Sequence, residues 1–551
     1  MNTKAVALAA IFGIGLTGVT FHAEAAPNNV IAPSKTEVAG LRRLTESEYR
    51  NSIADIFGSN IRVEGRFEPG RRVGGLLSAS SAILSVTPAG FEAYSKMADS
   101  IAAQVVDEKN RAKLVPCKPK SASAPDDVCA IRFLTQYGFL LFRRPLTPEE
   151  ISRRVALADD MTKSSGSFYT GLRYSLATLM SAPDFLFRTE IAVPGEGKNY
   201  TLEPYSRASR LSYLIWNSTP DSQLLQAAQT GELNTTAGVT KEVDRLMASP
   251  RLKVGMRAFF SDLFQLDNFS NTTKDGVIYP EWSDQVAASA QEETLRTAID
   301  LTLTSNGDIR DLMTTRNTFM DRTLASIYDV QFNFKGDWEP YSFPESAGRS
   351  GLLTQVSLLG MFSHPGRSSP TERGVAILDI LMCQPSPLPP PTVDLSAIDN
   401  NTDPNLKTVR QRLMAHATNP TCASCHRRTD PLGLSLEQFN SVGARRDRDN
   451  GELIDVSSAI GTEKFSGAVG LGKVLHNDPK FPACFARKLY SYGTGANTDD
   501  VKPAMFSAAF KTFTDDGYRL RTLLRAMATS PEFFSAPPPV DAAKPVTKAA
   551  N

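Results

Sequence analysis

Residues 205–233 read YSRASRLSYLIWNSTPDSQLLQAAQTGEL and contain the pattern that decides the fold class. Apolar side chains recur every three or four residues on both sides of the segment STPD, which is the spacing of one face of an α-helix. Pro220 and Asp221 fit the opening of the second helix. The segment therefore predicts two helices joined by a short turn.

Helical spacing continues through most of the 551-residue chain. In LRRLTESEYRNSIADIFG (41–58), Leu41 and Leu44 begin the apolar face, Thr45 is placed as N-cap and Glu48 follows three residues later. Comparable patterns occupy residues 132–162, 167–182, 239–265, 286–304 and 406–417. Strand patterns are few and short, so the sequence predicts a mainly α, multi-domain helical protein.

Three predicted helices end on related segments, LMSAPDFLFR near Ser181, LMASPRL near Ser249 and MATSPEFF near Ser530. Proline after a small residue stops or restarts a helix. We expect the aromatic residue that follows to anchor the turn in the core. We interpret the first and third segments as the same packing device and not as catalytic motifs.

The composition is that of an ordinary globular protein, with 41% hydrophobic and 22% charged residues. Sixty Lys and Arg against 59 Asp and Glu leave a net charge of +1. This balance gives no broad field for binding nucleic acid or an anionic membrane surface. Partners must therefore be argued from local sites.

The N-terminus has the features of a secretory signal peptide. One early lysine precedes an apolar run, and Ala23-Glu24-Ala25 forms a small-x-small cleavage site. The alternative, a membrane anchor, is disfavoured because Gly and Thr interrupt the run. We expect cleavage near Ala25, no transmembrane anchor after cleavage, and a periplasmic or otherwise exported bacterial protein.

An oxidising compartment permits disulfides between the six cysteines. Cys117 and Cys129 bracket a short polar loop, and we predict that they pair. We also predict a bridge from Cys383, at the end of a helical run, to Cys484 across a long loop. Buried free thiols are the alternative at each position.

The remaining cysteines lie in NPTCASCHRRTDPLG (419–433). Cys422, Cys425 and His426 form C-x-x-C-H, in which two thiols attach a haem and the histidine binds its iron. A zinc site would need a second Cys/His pair, and a thioredoxin-like dithiol would need a βαβ context. Neither is visible in the sequence, so the motif predicts one covalently attached haem c with His426 as proximal ligand.

Several segments resemble a family of large exported proteins from planctomycetes and proteobacteria. These proteins are known as a series of domains of unknown function, DUF1587, DUF1595, DUF1592, DUF1588 and DUF1585. The segments that carry the resemblance, in chain order, are residues 41–58, FLLFRRPLTPEE (139–150), 208–233, FMDRTLASIYDV (319–330), SSPTERGVAILDILMCQPSPLPPP (368–391), 416–460 and FPACFARKLYSYGTG (481–495).

The resemblance covers residues from about 40 to 535 and implies the domain organisation. We expect a signal peptide (1–25), helical domains like DUF1587 (38–115), DUF1595 (117–195) and DUF1592 (200–335), a connector with a Pro-rich linker (336–405), a cytochrome c-like haem domain resembling DUF1588 (406–498), a C-terminal helical segment like DUF1585 (499–535) and a disordered tail (536–551).

The resemblance also implies the surroundings of the haem. The implied shell consists of His416, Asn419, Pro420, Asp430, Pro431, Gly433, Glu437, Gly443 and Arg446 or its neighbour Arg445. Thr429 stands where relatives usually have methionine, and Asn440 where they usually have aspartate. The first difference removes a sulfur near the haem and the second removes a charge, so either is expected to change the redox potential or the local hydrogen bonding without abolishing haem binding.

The sixth iron ligand is open at this point. The candidates are His416, His364, His476, Met361, Met414, Met505 and Met527, and an open five-coordinate iron is a further alternative. A saturated iron suits electron transfer, whereas an open position permits peroxide or oxygen chemistry.

Charged residues outside the motif are weaker candidates for a substrate site. They are Glu292, Glu293, Asp321, Glu372 and Arg373. A charge on a helix more often belongs to a solvated face or an ion pair.

Three functional classes remain. The first is a periplasmic monohaem c-type cytochrome that transfers electrons, or the haem-bearing subunit of an oxidoreductase, with a redox partner protein. The second is a haem-dependent oxidoreductase with its own substrate pocket in the helical body. The third is a polysaccharide-associated binding or scaffold protein of the cell envelope. The long helical body argues against a bare electron carrier, which needs only about a hundred residues, while the catalytic residues, substrate and oligomeric state stay open.

Overall fold

A computed structural model describes residues 37–82, 84–195, 197, 199–386, 405–418 and 420–537. The predicted signal peptide, most of the Pro-rich linker and nearly all of the predicted C-terminal tail lie outside the described residues. The described residues all belong to a single compact unit.

Helices make up most of the first half of this unit. In chain order they are α1 (Glu46–Phe57), α2 (Leu77–Ser80), α3 (Pro88–Val106), α4 (Glu108–Leu114), α5 (Asp127–Phe142), α6 (Pro148–Ser165), α7 (Phe168–Met180), α8 (Pro183–Leu186), α9 (Pro204–Trp216), α10 (Ser222–Gln229), α11 (Thr236–Ala248) and α12 (Arg251–Leu263).

The second half is also mainly helical. Its helices are α13 (Asp284–Ile299), α14 (Arg322–Ile327), α15 (Val356–Met361), α16 (Pro370–Ala376), α17 (Val409–His416), α18 (Pro420–Leu434), α19 (Gly467–Asn477), α20 (Lys480–Thr494), α21 (Ser507–Asp515) and α22 (Leu520–Ala528). Short π-helical segments continue α13 (Asp300–Thr304) and α16 (Ile377–Leu381).

The strands are short. They are β1 (Glu37–Arg43), β2 (Phe187–Pro194), β3 (Tyr200–Leu202), β4 (Asn317–Met320), β5 (Glu339–Ser342), β6 (Arg448–Asp449), β7 (Glu452–Leu453), β8 (Ser457–Ile460), β9 (Glu463–Ser466) and β10 (Ser535–Ala536). The mainly α prediction is therefore confirmed.

The helix pair predicted around STPD is present as α9 and α10. Asp221 is the N-cap of α10, and its side chain accepts a hydrogen bond from the Leu224 backbone N–H at 2.9 Å. Thr45 caps α1 in the same way, and Glu48 completes the predicted capping box. Local side-chain chemistry thus sets where both helices begin.

The prediction that Leu41 belongs to the first helix is wrong. Leu41 lies in β1, opposite Thr189 of β2, and about half of its surface is exposed. Leu44 is buried but precedes the Thr45 N-cap. Apolar residues in a strand next to a helix can extend an apparent helical pattern, because a few residues do not distinguish the two periods.

Two of the long predicted helices are broken. Residues 132–162 divide into α5 and α6, because Arg143 adopts a left-handed conformation (φ 58°) and Thr147 caps a new helix. Residues 239–265 divide into α11 and α12 at Pro250. Proline lacks an N–H and disfavours helical backbone in the residue before it.

The expected aromatic anchors are present at two of the three proline-containing helix ends. Phe185 follows the end of α7 and Phe533 follows the end of α22, and both side chains are fully buried. Each aromatic ring fixes the chain direction by burying apolar surface next to the turn.

A four-stranded antiparallel sheet in the order β1-β2-β3-β10 joins the two ends of the described chain. Arg42 of β1 is buried, and its guanidinium donates to the carbonyls of Gly493 (2.6 Å) and Tyr492 (3.0 Å) near the end of α20. Burial lowers the pKa of Arg42 to about 9. The N-terminal strand therefore satisfies backbone carbonyls at a helix end some 450 residues away.

Both predicted disulfides are confirmed. Cys117 pairs with Cys129, and Cys383, which follows the π-helical segment after α16, pairs with Cys484 of α20. Among the described residues, no helix combines the length and apolar character needed to cross a membrane.

Candidate functional site

The C-x-x-C-H motif lies on α18. Cys422, Cys425 and His426 are three and four residues apart, so they share one face of this helix. Cys422 and Cys425 are partly exposed free thiols, whereas the other four cysteines form disulfides. Two adjacent thiols are therefore left beside a histidine.

The His426 ring is held by a carboxylate one turn further along α18. His426 Nδ1 lies 2.9 Å from Oδ2 and 3.0 Å from Oδ1 of Asp430. Asp430 is buried and also accepts hydrogen bonds from the hydroxyl groups of Thr371 (2.9 Å) and Thr429 (3.3 Å). Such a carboxylate fixes the orientation of an imidazole and directs its other nitrogen, Nε2, toward a metal.

Helix α16 crosses α18 at close range because both helices have glycine at the contact. A Cβ atom on Gly374 would lie 2.0 Å from the carbonyl oxygen of Thr429, and one on Gly433 would lie 1.8 Å from the carbonyl oxygen of Pro370. These distances leave no room for a side chain. The crossing brings Thr371 within hydrogen-bond reach of Asp430.

A buried ion group lies beyond the end of α18. Glu437 accepts hydrogen bonds from Arg446 (2.8 Å) and Ser368 (3.0 Å), and Arg373 lies 3.6 Å away. Burial raises the pKa of Glu437 although both arginines oppose this, and burial lowers the pKa of Arg373 to about 10.

Arg373 also fixes the loop after Glu437. Its guanidinium is fully buried and donates to the carbonyls of Leu436 (3.1 Å), Phe439 (2.8 Å) and Asn440 (2.7 Å). We considered Arg373 as a residue of a substrate cleft, but its contacts are those of a structural residue that replaces water at backbone carbonyls.

The Asn440 side chain shapes the next turn. Its Oδ1 accepts the backbone N–H groups of Val442 (3.0 Å) and Ala444 (2.9 Å), and Gly443 within the turn has φ of 85°. An aspartate would accept the same two hydrogen bonds, so the asparagine keeps the turn while removing its negative charge.

The implied shell is brought together only in part. Asp430, Gly433, Glu437, Gly443 and Arg446 lie on α18 or in the turn that follows it and make the contacts described above. Arg445 instead donates to the Ser346 carbonyl. Asn419 and the side chains of His416 and Pro420 lie outside the described residues, and Pro431 lies within α18.

The sixth-ligand candidates are dispersed. His476 faces Asp311 at 3.2 Å, and the backbone carbonyl of His364 accepts from Lys274 at 3.4 Å. Met527 belongs to the core, whereas Met414 on α17 is 64% exposed. Met361 lines a small apolar cavity, and Met505 is partly buried against the core. The sixth ligand stays an open prediction.

The other charged candidates have structural roles. Glu292 forms ion pairs with Arg257 and Arg296. Asp321 caps α14 by accepting from the Leu324 N–H at 2.9 Å. Glu372 lies in the first turn of α16, where a negative charge is favourable.

Glu293 is a fully buried carboxyl group. It accepts hydrogen bonds from Tyr328 (2.6 Å) and Thr318 (2.7 Å), and burial raises its pKa to about 7. Arg349 lies over the Tyr328 ring at 4.2 Å and donates to the Gly443 carbonyl at 2.9 Å. This group therefore links the core around α13 to the loop after α18.

A large cavity was not predicted from the sequence. It has a volume of about 780 Å³, and we name it the Asn217 cavity after one of its wall residues. Its wall is formed by individual residues from several parts of the chain, among them Ser47, Ser78, Asn217, Ala258 and Tyr492, and none of its wall residues belongs to α16 or α18. Only the tertiary fold brings these segments together, so no local sequence signal marks the cavity.

No group of three His, Cys, Asp or Glu side chains that could hold a metal ion occurs within the described part of the chain. This is compatible with a haem, whose porphyrin supplies most of the iron ligands while the protein supplies one or two. Two thiols and one oriented imidazole on a single helix face are the donor set that covalent haem attachment requires.

Five family models match the chain, each described as a protein of unknown function. They are DUF1587 over residues 42–107, DUF1595 over 129–190, DUF1592 over 202–330, DUF1588 over 349–449 and DUF1585 over 461–533. The comparisons with curated proteins and with solved structures give no match.

The predicted resemblance is thus confirmed for all five domains and for their order. The finer domain boundaries inferred from the sequence stay predictions. The DUF1588 match contains α16, α18 and the ion group around Glu437. The chain belongs to the family of proteins that combine the domains of unknown function DUF1587, DUF1595, DUF1592, DUF1588 and DUF1585 in one polypeptide.

Proposed function

We propose that this protein is an exported monohaem c-type cytochrome that transfers electrons, alone or as the haem-bearing subunit of an oxidoreductase. The observation that carries the proposal is the pair of free thiols, Cys422 and Cys425, on the helix face that also bears His426. The other four cysteines are paired, so these two are the ones available for thioether bonds.

In this proposal Cys422 and Cys425 hold the haem and His426 binds its iron through Nε2. Bound haem would supply a one-electron redox centre. Asp430 acts as a positioning residue, because its carboxylate accepts the Nδ1 proton and fixes the ring. Its negative charge would favour the more positive, oxidised iron and so lower the reduction potential.

The proposed location outside the cytoplasm is supported by the two disulfides, which are typical of oxidising compartments. The signal-peptide pattern of residues 1–25 points the same way. Within that setting the periplasm is the compartment we propose.

A redox partner protein is part of the proposal. Arg427 and Arg428 directly follow His426 and are exposed. Two positive charges this close to the proposed haem would attract an acidic partner surface and speed the encounter.

The second candidate is an oxidoreductase with its own substrate pocket in the helical body. The Asn217 cavity favours it, because its volume of about 780 Å³ lies in the range of small-molecule sites. An electron carrier alone would need no such space.

Optical spectra of the full-length chain, produced in the periplasm with haem maturation, test the proposal. We expect a sharp reduced α-band from the folded protein and haem that stays attached to the chain after denaturation, and we expect the variant C422A/C425A to lose the attached haem. A band unchanged by carbon monoxide would support electron transfer, and a shift would support the second candidate. Covalent haem in the double variant, or no haem in folded wild-type protein, would overturn both.

A further inference from the structure

The Asn217 cavity is built from parts of the chain that are far apart in sequence. The start of α1, the loop before α2, α2 itself, α12 and Tyr492 of α20 all contribute to its wall. The family matches divide these parts among DUF1587, DUF1592 and DUF1585. The cavity therefore exists only in the assembled chain.

The amide of Asn217 and the hydroxyl groups of Ser47 and Tyr492 meet at the wall of this cavity. Asn217 is buried in a left-handed conformation (φ 54°) at the end of α9. Its amide donates to Ser47 Oγ at 3.0 Å, and its Oδ1 accepts from the Tyr492 hydroxyl at 3.2 Å. These contacts hold the polar groups in fixed orientations before a ligand arrives, which reduces the entropy cost of binding.

Ser78 is the feature that most directly indicates a ligand. It lines the cavity, only 2% of its surface is exposed, and its Oγ has no hydrogen-bond partner in the described part of the chain. A buried hydroxyl without a partner costs free energy that a bound polar ligand can recover.

Aromatic rings form a second part of the wall. Phe67 and Tyr94 both line the cavity, and their ring centroids are 6.0 Å apart in an edge-to-face arrangement. Tyr94 is buried and Phe67 is half-buried. Aromatic rings beside fixed hydrogen-bonding groups suit a ligand that has both apolar C–H faces and hydroxyl groups.

The charged side chains of the wall determine which of these ligands can bind. Five carboxylate residues and two arginines line the cavity: Glu46, Glu48, Glu68, Asp262, Asp267, Arg43 and Arg50.

All five carboxylates form ion pairs with arginines of the wall or of the layer behind it. Glu68 accepts from Arg43 at 2.9 Å. Asp262 accepts from Arg72 and from the backbone N–H of Leu77, each at 2.8 Å. Both wall arginines, Arg43 and Arg50, are therefore already engaged by carboxylates. Phosphate, sulfate and uronate groups are disfavoured, because an anion that enters a partly desolvated site without a cationic partner pays a high desolvation cost.

We propose that the Asn217 cavity binds a neutral oligosaccharide, with Asn217, Ser78 and Tyr492 contacting sugar hydroxyl groups and Phe67 packing against a ring face. The volume of the cavity suits a ligand of a few sugar units. The inference goes beyond the proposed electron transfer and does not depend on haem.

Isothermal titration of the full chain with cellohexaose, maltohexaose, neutral chitohexaose and acidic hexagalacturonate tests this proposal. We expect at least one neutral hexasaccharide to bind and the acidic one to bind at least about tenfold more weakly. Ser78→Ala should weaken the neutral ligand by about tenfold, because it removes one hydrogen bond.

Ala258→Trp should abolish binding by filling the cavity, since Ala258 lies on its wall. Ala508→Trp is the matched control, because Ala508 is exposed on α21 and is absent from the wall. The proposal fails if no neutral hexasaccharide binds, if hexagalacturonate binds as tightly, or if folded A258W and S78A both bind like the wild type.

Discussion

Asp430 connects the proposed iron ligand to the rest of the fold. Its carboxylate is hydrogen-bonded to the His426 ring on the same helix and to the Thr371 hydroxyl on α16. One buried carboxylate thus sets the orientation of the imidazole. A backbone carbonyl in this position would orient the ring without a charge. The choice of an aspartate therefore has an electrostatic consequence as well as a geometric one.

For Asp430→Asn we expect covalent haem to be retained and the reduction potential to rise by several tens of millivolts. The amide oxygen can still accept the Nδ1 proton, but the charge that favours oxidised iron is lost. Potentiometric titration measures the shift. The surface variant Asp447→Asn removes the same charge at an exposed side chain, and an equal shift in both variants would contradict a specific role.

Glu293 should make the stability of the protein depend on pH. Burial raises its pKa from 4.5 to about 7, so the folded protein holds this proton over a range in which the unfolded chain has released it. Stability from this group is therefore lost as pH rises through that range.

In Glu293→Gln this loss is absent. As the pH rises from about 5 to about 8, the free energy of unfolding of the wild type should fall relative to that of the variant by on the order of 2 kcal/mol. Urea unfolding of both proteins at the two pH values measures it. Glu292→Gln, which alters a partly exposed ion pair, should show no such shift, and parallel pH profiles for E293Q and the wild type would refute the assignment.

At the scale of elements, the crossing of α16 and α18 determines how the motif helix is supported. Gly374 and Gly433 let the two backbones meet, and this contact places Thr371 beside Asp430. A displaced helix would lose that hydrogen bond and leave the Asp430 carboxylate less well oriented.

Gly374→Ala and Gly433→Ala should each lower the free energy of unfolding by about 2–4 kcal/mol, because a Cβ atom would meet a backbone oxygen that cannot move alone. Urea denaturation tests this. Gly276→Ala is the matched control, since a Cβ atom there meets nothing within 4 Å. Equal stability of all three variants would show that the crossing tolerates separation.

The sequence predicted correctly where a helix begins when a nearby side chain caps that end. Thr45 and Asp221 cap their helices through hydrogen bonds to residues three positions away, which a sequence displays directly. The prediction was wrong for Leu41, because its place in β1 depends on pairing with β2, almost 150 residues later. The break at Arg143 depends on a left-handed backbone conformation, which residue type alone seldom reveals.

At the scale of the whole molecule, the two disulfides span very different lengths of chain. Cys117 and Cys129 are 12 residues apart, whereas Cys383 and Cys484 are 101 apart. The longer loop restricts the unfolded chain more strongly.

Replacing both cysteines of a pair by alanine should therefore cost about 4–5 kcal/mol for C383A/C484A and about 3 kcal/mol for C117A/C129A. Urea unfolding under non-reducing conditions compares the two variants with the wild type. A larger loss for the short loop would show that local strain or packing, and not loop length, dominates.

Only those residues of the candidate site that are neighbours in the sequence could be predicted. Cys422, Cys425 and His426 stand together in sequence, whereas the distant Cys383–Cys484 bridge was predicted with buried free thiols as an open alternative. The network of Glu293 could not be foreseen, because its partners Thr318 and Tyr328 lie 25 and 35 positions away on other elements. The Asn217 cavity could not be foreseen either, because its wall residues lie up to hundreds of positions apart.

The bond between Arg42 and the end of α20 also constrains the order in which the protein can be completed. Synthesis proceeds from the N-terminus, so Arg42 is made long before Tyr492 and Gly493. The carbonyls of these two residues accept the hydrogen bonds of the Arg42 guanidinium in the folded protein. A chain that stops before residue 492 lacks these two acceptors, whereas Glu190, which forms an ion pair with Arg42 at 3.9 Å, is already present. The packing of β1 against α20 is therefore completed only after nearly the whole described chain has been synthesised.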